Sequence, residues 1–306
     1  MTNVIHAQAL EKKYGQHLAV DGIDLKVERG SIFGLVGPNG AGKTTILRML
    51  VDIIRPTGGE LTVLGETPSQ STAALRQRIG YLPGELKFND RITGEKMLRH
   101  LARISGPVDQ VFVDKLAQRL GVDLTRPVRA LSKGNKQKIG LIQAFMHLPE
   151  LLILDEPTSG LDPLMQREFL ALVREARDNG QTVLLSSHIL SEIQHAADQV
   201  AVLAQGKIVA NDNVANLRLA SVSRVRAIVA GITAEEARMV LGGVLEDVSA
   251  EATGSGELVS VEGMVRGQID KVVKALARFE LVDLSIEEPD LEESILDLYA
   301  RKDAQR

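Results

Sequence analysis

The sequence predicts an α/β fold with an inserted helical subdomain, followed by a small α+β unit, and three observations lead to this prediction. The apolar residues 32–36 precede a glycine-rich loop, and a helical run, residues 46–54, follows that loop. Two short runs, residues 151–154 and 182–185, are apolar throughout and end in polar residues, as parallel strands covered by helices on both faces do. From about residue 212 onward, strand and helix patterns follow in the order β-α-β-β-α-β.

The composition of the chain limits the classes of partner and chemistry. Its 306 residues suggest about two domains, and 36 basic against 40 acidic side chains leave a net charge of −4. This balance gives no electrostatic reason to expect a nucleic-acid partner. The absence of cysteine excludes disulfides, thiolate zinc sites and iron–sulfur clusters. No stretch approaches the ~18 uninterrupted apolar residues of a membrane span, so a membrane role would require another chain.

Within the first domain the periodicity changes along the chain. Residues 1–30 predict short strands around residues 4–9 and 23–27, and the dense turn signal at residues 55–60 precedes another strand. We predict a helical subdomain at about residues 85–148, inserted into the sheet domain. Apolar side chains recur there at helical spacing, among them Met97, Leu98, Leu101, Ile104, Leu116 and Leu120.

The carboxy-terminal part predicts a small ferredoxin-like unit. A strand at residues 224–229 is followed by a capping box, Thr233 with Glu236, which opens a short helix. Two further strands flank a turn at residues 253–256, and a helix and a final strand complete the order of a split βαβ fold. The unit carries no catalytic constellation, so we interpret it as a packing or dimerisation module. After it we expect a terminal helix with an apolar face formed by Leu291, Ile295, Leu298 and Tyr299.

The glycine-rich loop is a P-loop in its required context, between a strand and a helix. Glycines let successive backbone N–H groups turn towards phosphate oxygens, and the following helix directs its positive dipole end at the same anion. Lys43 is expected to reach the β- and γ-phosphates, and the Thr44 hydroxyl to ligate Mg²⁺. A glycine-rich turn before a buried helix is the alternative. The predicted nucleotide-binding residues of the loop are Gly37, Pro38, Asn39, Gly40, Ala41, Gly42, Lys43, Thr44 and Thr45.

Two carboxylates follow the apolar run of residues 151–154. Ligand chemistry in parallel sheets lies at the carboxyl ends of the strands, where Asp155 would hold the Mg²⁺ that bridges the phosphates. Glu156 is placed to polarise an attacking water as a general base. A solvated strand end is the usual alternative for an isolated Asp-Glu pair, but the P-loop upstream favours the catalytic interpretation.

The segment of residues 131–137 opens a predicted helix, with Ser132 as an N-cap candidate whose hydroxyl would face an anion. Its sequence, Leu-Ser-Lys-Gly-Asn-Lys-Gln, is similar to the Leu-Ser-Gly-Gly-Gln signature of ABC-transporter ATPases. The resemblance rests on six ordered motifs and implies an ABC ATPase domain over residues 1–212. A linker, residues 213–223, would follow, and residues 224–306 resemble the accessory domain of many bacterial ABC exporter ATPases.

The resemblance also implies roles for individual residues. Tyr14 matches the aromatic position that stacks on adenine, and Glu156 matches the catalytic glutamate. His188 matches the switch histidine that contacts the γ-phosphate, although a histidine in this sequence taken alone is more often structural. The other residues implied to contact nucleotide are Ser132, Lys133, Gly134, Asn135 and Asp162, the last in the loop that couples two active sites.

Two segments depart from the family pattern. Lys133 and Asn135 stand where the signature usually has glycine and glutamine. We predict that Lys133 adds positive charge near the γ-phosphate of the opposite subunit's nucleotide, and a lysine directed to solvent is the alternative. Gly84 stands where the family expects a glutamine that contacts Mg²⁺ and water. Glu85 is the candidate replacement for that glutamine as a metal ligand.

One chain carries one phosphate loop and one signature, so the resemblance implies a homodimer that closes on two molecules of ATP with Mg²⁺. The expected function is ATP hydrolysis that powers export through a separate membrane-spanning permease subunit, at the cytoplasmic face of the cell membrane. One alternative is a soluble ABC ATPase acting on ribosomes or DNA, but the sequence has no second cassette, coiled-coil insertion or basic arm. Another is a nucleotide-sensing domain without turnover, against which intact Lys43, Asp155, Glu156 and His188 argue.

Overall fold

The computed structural model of the protein describes residues 2–71, 73–86, 91–189, 193–194, 196–214, 216, 222–253, 258–266 and 269–287. The chain divides into two compact units, Met1–Asn211 and Asp212–Arg306. Among the described residues, no helix combines the length and the apolar content needed to cross a lipid bilayer.

A three-stranded antiparallel sheet forms the amino-terminal part of the first unit. In it, β1 (Asn3–Tyr14) pairs with both β2 (His17–Glu28) and β4 (Gly58–Val63). The first two strands have 12 residues each, which is longer than the runs predicted from the sequence. Their pairing changes register at several points, and Ala9 has a φ of 44°. Such bulges interrupt the alternation of apolar and polar side chains, so the sequence pattern covers only part of each strand.

A six-stranded sheet forms the centre of the first unit and fixes the position of the candidate site. Its strands lie in the order β5-β6-β7-β3-β8-β9, and the pairs from β5 to β8 are parallel. Because parallel strands end at one edge of a sheet, Gly37, Asp155 and His188 come close together after β3, β6 and β7. The strands are β3 (Ile32–Val36), β5 (Ile79–Leu82), β6 (Leu151–Leu154), β7 (Thr182–Ser187), β8 (Gln199–Ala204) and β9 (Lys207–Asn213).

Helix α1 (Lys43–Leu50) begins directly after the glycine-rich loop. The predicted helical run extended to residue 54, but the helix ends at Leu50, because Asp52 adopts a left-handed φ of 55°. Ile46 and Leu47 are fully buried in a core that includes apolar side chains of both sheets. This packing holds the amino-terminal end of the helix against the loop. A short helix, α2 (Ala73–Gln77), precedes β5.

The described residues between β5 and β6 form α3 (Gly94–Ser105), α4 (Gln110–Arg119), a 3₁₀ turn (Val128–Ala130) and α5 (Lys133–Phe145). Each of the three α-helices begins at a side chain that accepts a hydrogen bond from a backbone N–H of its first turn. These N-cap residues are Thr93, Asp109 and Ser132. The third helix places the signature-like segment at its amino-terminal end.

Helix α6 (Pro163–Asp178) follows β6 and was not predicted from the sequence. It is joined to α4 by an ion-pair network around Arg119. The Nε of Arg119 lies 2.6 Å from Glu168 Oε1, and its two terminal nitrogens lie 2.6 and 2.7 Å from the carboxylate of Glu175. The hydrogen bond to Arg119 is the main cause that lowers the pKa of Glu175. The two-fold guanidinium–carboxylate contact ties the helical segment to the rest of the unit.

The second unit has one antiparallel sheet and two helices. The sheet order is β11-β12-β10-β13. The predicted capping box is confirmed, since Thr233 and Glu236 each bond the backbone N–H of the other. The predicted turn at residues 253–256 lies largely outside the described residues. The predicted terminal helix lies wholly outside them. The elements are β10 (Val222–Ala230), α7 (Ala234–Leu241), β11 (Glu246–Thr253), β12 (Leu258–Arg266), α8 (Ile269–Leu276) and β13 (Glu280–Glu287).

We expect the protein to lose stability in mild acid because of His147, which lies just beyond the end of α5. Burial lowers its pKa, outweighing a smaller opposing effect of the Ile79 backbone, and neither ring nitrogen has a hydrogen-bond partner among the described residues. The unfolded chain therefore binds a proton more readily than the folded chain. The contribution of His147 to the free energy of unfolding should be complete above the unfolded pKa of about 6.5. It should be lost as the pH falls below that value.

The measurement is the free energy of unfolding between about pH 8 and pH 5.5, a range above the titration of ordinary carboxylates. His147→Leu should flatten this dependence, because the variant has no group to protonate in the unfolded chain. His100, which is exposed on α3, provides the control, and His100→Gln should keep the slope of the original protein. An unchanged slope in His147→Leu would contradict the assignment.

Candidate active site

The loop of residues 37–45 connects β3 to α1, and two of its glycines cannot be replaced without moving the backbone. A Cβ on Gly37 would lie 2.1 Å from the carbonyl oxygen of Leu203, and one on Gly42 would lie 2.6 Å from that of Ala19. Gly42 also has a left-handed φ of 109°. The loop is therefore held close to neighbouring backbone, with its turns set by glycine. This is the arrangement that leaves backbone N–H groups free to surround an anion.

Lys43 is buried at the first position of α1, with a relative exposure of 5%. Its ammonium donates hydrogen bonds to the carbonyl oxygens of Gly37 and Pro38, at 2.6 and 3.2 Å. It also forms an ion pair with Glu156, whose Oε1 lies 3.2 Å away. A buried cation requires such compensation. The contacts place the lysine charge inside the curve of the glycine-rich loop.

Glu156 connects the loop to the end of β7. Its Oε2 lies 2.6 Å from Nδ1 of His188, while its Oε1 faces Lys43. An ionised carboxylate can only accept hydrogen bonds, so Nδ1 carries the ring proton in this contact. The backbone N–H of Glu156 donates to the Ser186 hydroxyl at 3.0 Å, and its φ is 48°. One carboxylate is thus held between two cationic or donor groups on different elements.

Asp155 is fully buried at the end of β6. Its Oδ1 accepts a hydrogen bond from Ser186 at 2.7 Å, whereas its Oδ2 has no hydrogen-bond partner among the described residues. A buried carboxylate oxygen without a donor is the type of group that a metal ion or its water satisfies. No cluster of three or more His, Asp or Glu side chains in the described part of the chain could hold a metal. Mg²⁺ commonly takes one or two carboxylates with phosphates and waters, so Asp155 with the Thr44 hydroxyl fits it.

A cleft of about 340 Å³ lies over the loop. Tyr14, at the end of β1, lines it and is 47% exposed, so its ring is accessible for stacking. The ammonium of Lys12 lies 5.2 Å from the centre of this ring. His17 also lines the cleft and was not predicted from the sequence, although it lies only three residues beyond Tyr14. The remaining lining residues are Ala19, Glu156 and residues 38–45 of the loop.

The signature-like segment lies at the amino-terminal end of α5 as predicted. The Ser132 hydroxyl accepts a hydrogen bond from the Asn135 N–H at 3.2 Å, so it caps the helix and keeps its own proton available for another acceptor. Lys133 is exposed, and its Nζ lies 3.4 Å from the Ser159 hydroxyl. A Cβ on Gly134 would lie 2.6 Å from the Gly160 carbonyl oxygen. The segment therefore packs on the loop that follows Glu156 in the same chain.

Asp162, Gly84 and Glu85 lie on two loops of the first unit. Asp162 is the N-cap of α6, and its side chain accepts a hydrogen bond from the Met165 N–H at 3.0 Å. Gly84 lies against Asp155, since a Cβ there would be 3.1 Å from Oδ2. Glu85 is exposed on the same loop and makes no hydrogen bond or ion pair with a described residue.

Sequence reasoning missed two residues that organise the site. Ser186 bonds both Asp155 and the backbone of Glu156, and Gln137 donates to the carbonyl oxygens of Glu156 and Pro157. One feature of the sequence could have indicated Ser186, which lies in β7 two residues before the predicted site residue His188. Gln137 had no such feature beyond its place in the signature-like segment.

Comparison with known proteins gives consistent matches. A family model described as ABC transporter matches residues 20–159. The bacitracin transport ATP-binding protein BcrA of Bacillus licheniformis is 37% identical over 211 residues, covering 68% of this chain and 69% of the relative. The linearmycin resistance ATP-binding protein LnrL of Bacillus subtilis is 31% identical over 312 residues, covering 97% of this chain and 99% of the relative.

Solved structures agree with these matches. An ATP-binding subunit of an ABC transporter superposes with a TM-score of 0.65 at 27% identity, over 70% of this chain and 92% of that one. A bacterial ABC transporter cassette solved as a dimer superposes with a TM-score of 0.63 over 69% of this chain and 98% of that one. Its identity is 19%, so this second likeness shows the fold alone.

Proposed function

The chain belongs to the ABC transporter family of ATP-hydrolysing, ATP-binding proteins, and on this premise we propose that it dimerises on ATP and powers export through a separate membrane-spanning subunit. The observation that carries the proposal is the placement of Glu156, whose carboxylate lies 3.2 Å from Lys43 Nζ and 2.6 Å from His188 Nδ1. A carboxylate held beside a phosphate-binding lysine and a histidine is placed to act as a general base at a terminal phosphate.

The contacts of Lys43 suggest how ATP activates its own hydrolysis. The phosphates of ATP compete with Glu156 for the lysine ammonium, since both are anions and the ammonium lies within the loop. Once Lys43 turns to the phosphates, the ion pair with Glu156 is broken and its Oε1 becomes free to accept a hydrogen bond from water. His188 keeps the carboxylate oriented during this exchange, and its ring has a second nitrogen for the γ-phosphate. Glu156 then accepts the proton of the attacking water.

We propose Thr44 and Asp155 as the residues that hold Mg²⁺, with ATP as the substrate. When bound, Mg²⁺ neutralises the charge that develops on the phosphate oxygens. The support is the unpartnered Oδ2 of Asp155 and the position of Thr44 in the cleft. The proposal that Glu85 also ligates the metal rests on the sequence alone.

The proposed dimer rests on the family resemblance, since one chain carries one phosphate loop and one signature-like segment. Lys43 lies at the first position of α1, whereas Ser132 caps α5. The family sandwiches each ATP between the loop of one copy and the signature of the other. Charge-assisted hydrogen bonds to phosphate contribute about 1.5–3 kcal/mol each, so several of them per nucleotide would favour closure. Hydrolysis and phosphate release would remove these contacts and reopen the dimer.

Export is supported by the names of the relatives, which are a bacitracin transport protein and a linearmycin resistance protein. The match to LnrL extends over 97% of the chain and therefore reaches the second unit. We assign this unit to the ferredoxin-like arrangement because of its strand order, which is β11-β12-β10-β13, or 2-3-1-4 when the strands are numbered within the unit. The edge strands are β11 and β13, and β12 and β10 are central. We propose that it is an accessory domain that packs on or dimerises with another copy.

Isolation of the Glu156→Gln variant from native membranes tests the transport proposal. The tagged variant, extracted in mild detergent with ATP, should bring with it a membrane-spanning protein in stoichiometric amount. Lys43→Ala treated identically serves as the control for ATP-dependent association. Ribosomal particles or DNA-associated proteins in place of a membrane protein would instead support the soluble ABC ATPase. Negligible hydrolysis by the unmodified protein together with its membrane partner would support a regulatory domain.

Lys133 provides a second test of the sandwich arrangement. We propose that its charge acts on the nucleotide held by the opposite copy, because it is exposed beside Ser132. Lys133→Gly and Lys133→Gln should each weaken ATP-driven dimerisation by about two- to fivefold, the range of an exposed ionic contact, and added salt should reduce the difference. Lys115→Gln on α4 changes the net charge equally and should have no effect. Unchanged dimerisation and turnover in both Lys133 variants would refute the proposal.

A further inference from the structure

We propose that Gln137 is a positioning residue for Glu156, and that it links the Ser132 turn to the catalytic carboxylate of the same chain. This inference rests on the proposed function, which gives Ser132 a role at the ATP of a second copy. Gln137 lies in the second turn of α5 and is 4% exposed. A polar side chain buried to this extent must find hydrogen-bond partners within the protein.

The partners of Gln137 are two consecutive backbone carbonyls. Its Nε2 lies 3.3 Å from the oxygen of Glu156 and 3.1 Å from that of Pro157. A primary amide carries two N–H donors, so one side chain can satisfy both acceptors. Side chains of similar length cannot replace it, since methionine has no donor and an ionised glutamate has only acceptors.

The backbone at Glu156 needs such support. Its φ of 48° lies in the left-handed region, which a residue with a side chain adopts only where the surrounding structure holds it. The N–H of Glu156 is held by Ser186, and the carbonyl of Glu156 is held by Gln137. Together the two bonds fix the direction in which the carboxylate leaves the chain, towards Lys43 and His188.

The same helix turn also contacts the chain just beyond Glu156. The Nζ of Lys133 lies 3.4 Å from the Ser159 hydroxyl, and a Cβ on Gly134 would lie only 2.6 Å from the Gly160 carbonyl oxygen. A displacement of the Ser132 turn would therefore move residues 156–160 with it. In the closed dimer, nucleotide bound at the Ser132 turn would thus act through Gln137 on Glu156, which serves the other ATP.

Kinetics of Gln137→Met test the positioning role, because methionine keeps the length of the side chain and removes both donors. We expect kcat to fall about 10- to 100-fold, the range that misplacement of a catalytic group costs. KM for ATP should change by less than about twofold, because the loop that binds phosphate is untouched. Gln137→Asn retains the amide but shortens the side chain, so it should give a smaller loss of kcat, and it replaces the methionine variant where that variant fails to fold.

Gln166→Met is the matched control. Gln166 is on α6, and its Nε2 donates to the Leu161 carbonyl at 3.4 Å, in the same loop but beyond Glu156. Its kcat should stay close to that of the original protein. A loss of thermal stability in Gln137→Met with unchanged kcat per folded molecule would show a purely structural role and overturn the proposal, as would an equal loss of kcat in Gln166→Met.

A double-variant comparison shows whether Gln137 acts through Glu156. In the Glu156→Gln background, the residual single-turnover hydrolysis should not fall further when Gln137→Met is added, because the base it positions is already absent. Losses that multiply would overturn the proposal. Dimerisation with ATP is measured on the same samples. If the original protein stays monomeric, the proposed function fails, whereas the effect of Gln137 on Glu156 within one chain can still be read from kcat.

Discussion

Glu156→Gln is expected to lower the steady-state rate of ATP hydrolysis by about 10²- to 10⁴-fold, the usual contribution of a general base. An amide cannot accept the proton of the attacking water at neutral pH. The substitution keeps the size of the side chain, and its carbonyl oxygen can still accept the hydrogen bond that His188 Nδ1 donates at 2.6 Å. It replaces the anionic oxygen that faces Lys43 at 3.2 Å with an uncharged NH₂ group, which releases the ammonium for the phosphates. Affinity for ATP should therefore be retained or increased.

The measurement is phosphate release at saturating ATP and Mg²⁺, together with equilibrium binding of ATP. Glu235→Gln makes the same chemical change at an exposed position of α7, and its turnover should equal that of the original protein. Turnover of Glu156→Gln within a few-fold of the original would show that another group takes the proton. Loss of ATP binding by this variant would show instead that the Lys43–Glu156 pair is needed to form the loop.

Asp155→Asn is expected to remove Mg²⁺-dependent hydrolysis, with a loss of at least about 100-fold in rate, because the metal supplies several kcal/mol of charge stabilisation. The asparagine oxygen can keep the hydrogen bond from Ser186, at 2.7 Å in the original side chain. The unpartnered Oδ2 is replaced by a neutral NH₂ group, which costs less to bury than an anionic oxygen. When both are measured without Mg²⁺ and ATP, the variant should thus be as stable as the original protein. It should lack the extra stability that Mg²⁺ with ATP confers on the original protein.

Thermal unfolding with and without Mg²⁺ and ATP measures this difference. Glu85→Ala is measured alongside it, because Glu85 is the other proposed metal ligand on the sequence. An original-like Mg²⁺ dependence in Glu85→Ala would remove Glu85 from the site. Asp155→Asn that responds to Mg²⁺ and ATP as the original protein does would contradict the assignment of Asp155.

The parts of the site that could be predicted are those with a fixed local geometry. The loop of residues 37–45 needs glycine at particular turns, and Gly37 and Gly42 are indeed in close contact with neighbouring backbone. Asp155 and His188 follow apolar strands, so their meeting at one edge follows from the parallel sheet. The N-cap at Ser132 is likewise a local signal, and the structure has it. The roles of these residues towards ATP remain predictions.

The parts that could not be predicted depend on contacts between distant segments. Ser186 in β7 bonds Asp155, which follows the neighbouring strand β6, and Gln137 in α5 bonds the backbone of Glu156. Neither contact leaves a periodic trace in the sequence. Lys133 illustrates the same limit, because the sequence is compatible with a side chain directed to solvent or to a second copy and carries no sign of Ser159, whose hydroxyl lies 3.4 Å from Lys133 Nζ in the same chain. About half of β1 and of β2 was not predicted, because the bulges break the alternation of apolar and polar residues by which a strand is recognised.

The mass of the Glu156→Gln variant in solution, measured by light scattering with ATP and with ADP, tests the central claim most directly. The claim is that two copies close around ATP and that loss of the terminal phosphate opens them. With ATP the mass should be twice that of the 33.2 kDa chain, and with ADP it should be that of one chain. Lys43→Ala introduced into the same variant should remain a single chain with either nucleotide. A mass that is the same with ATP and ADP, whether of one chain or of two, would contradict the claim.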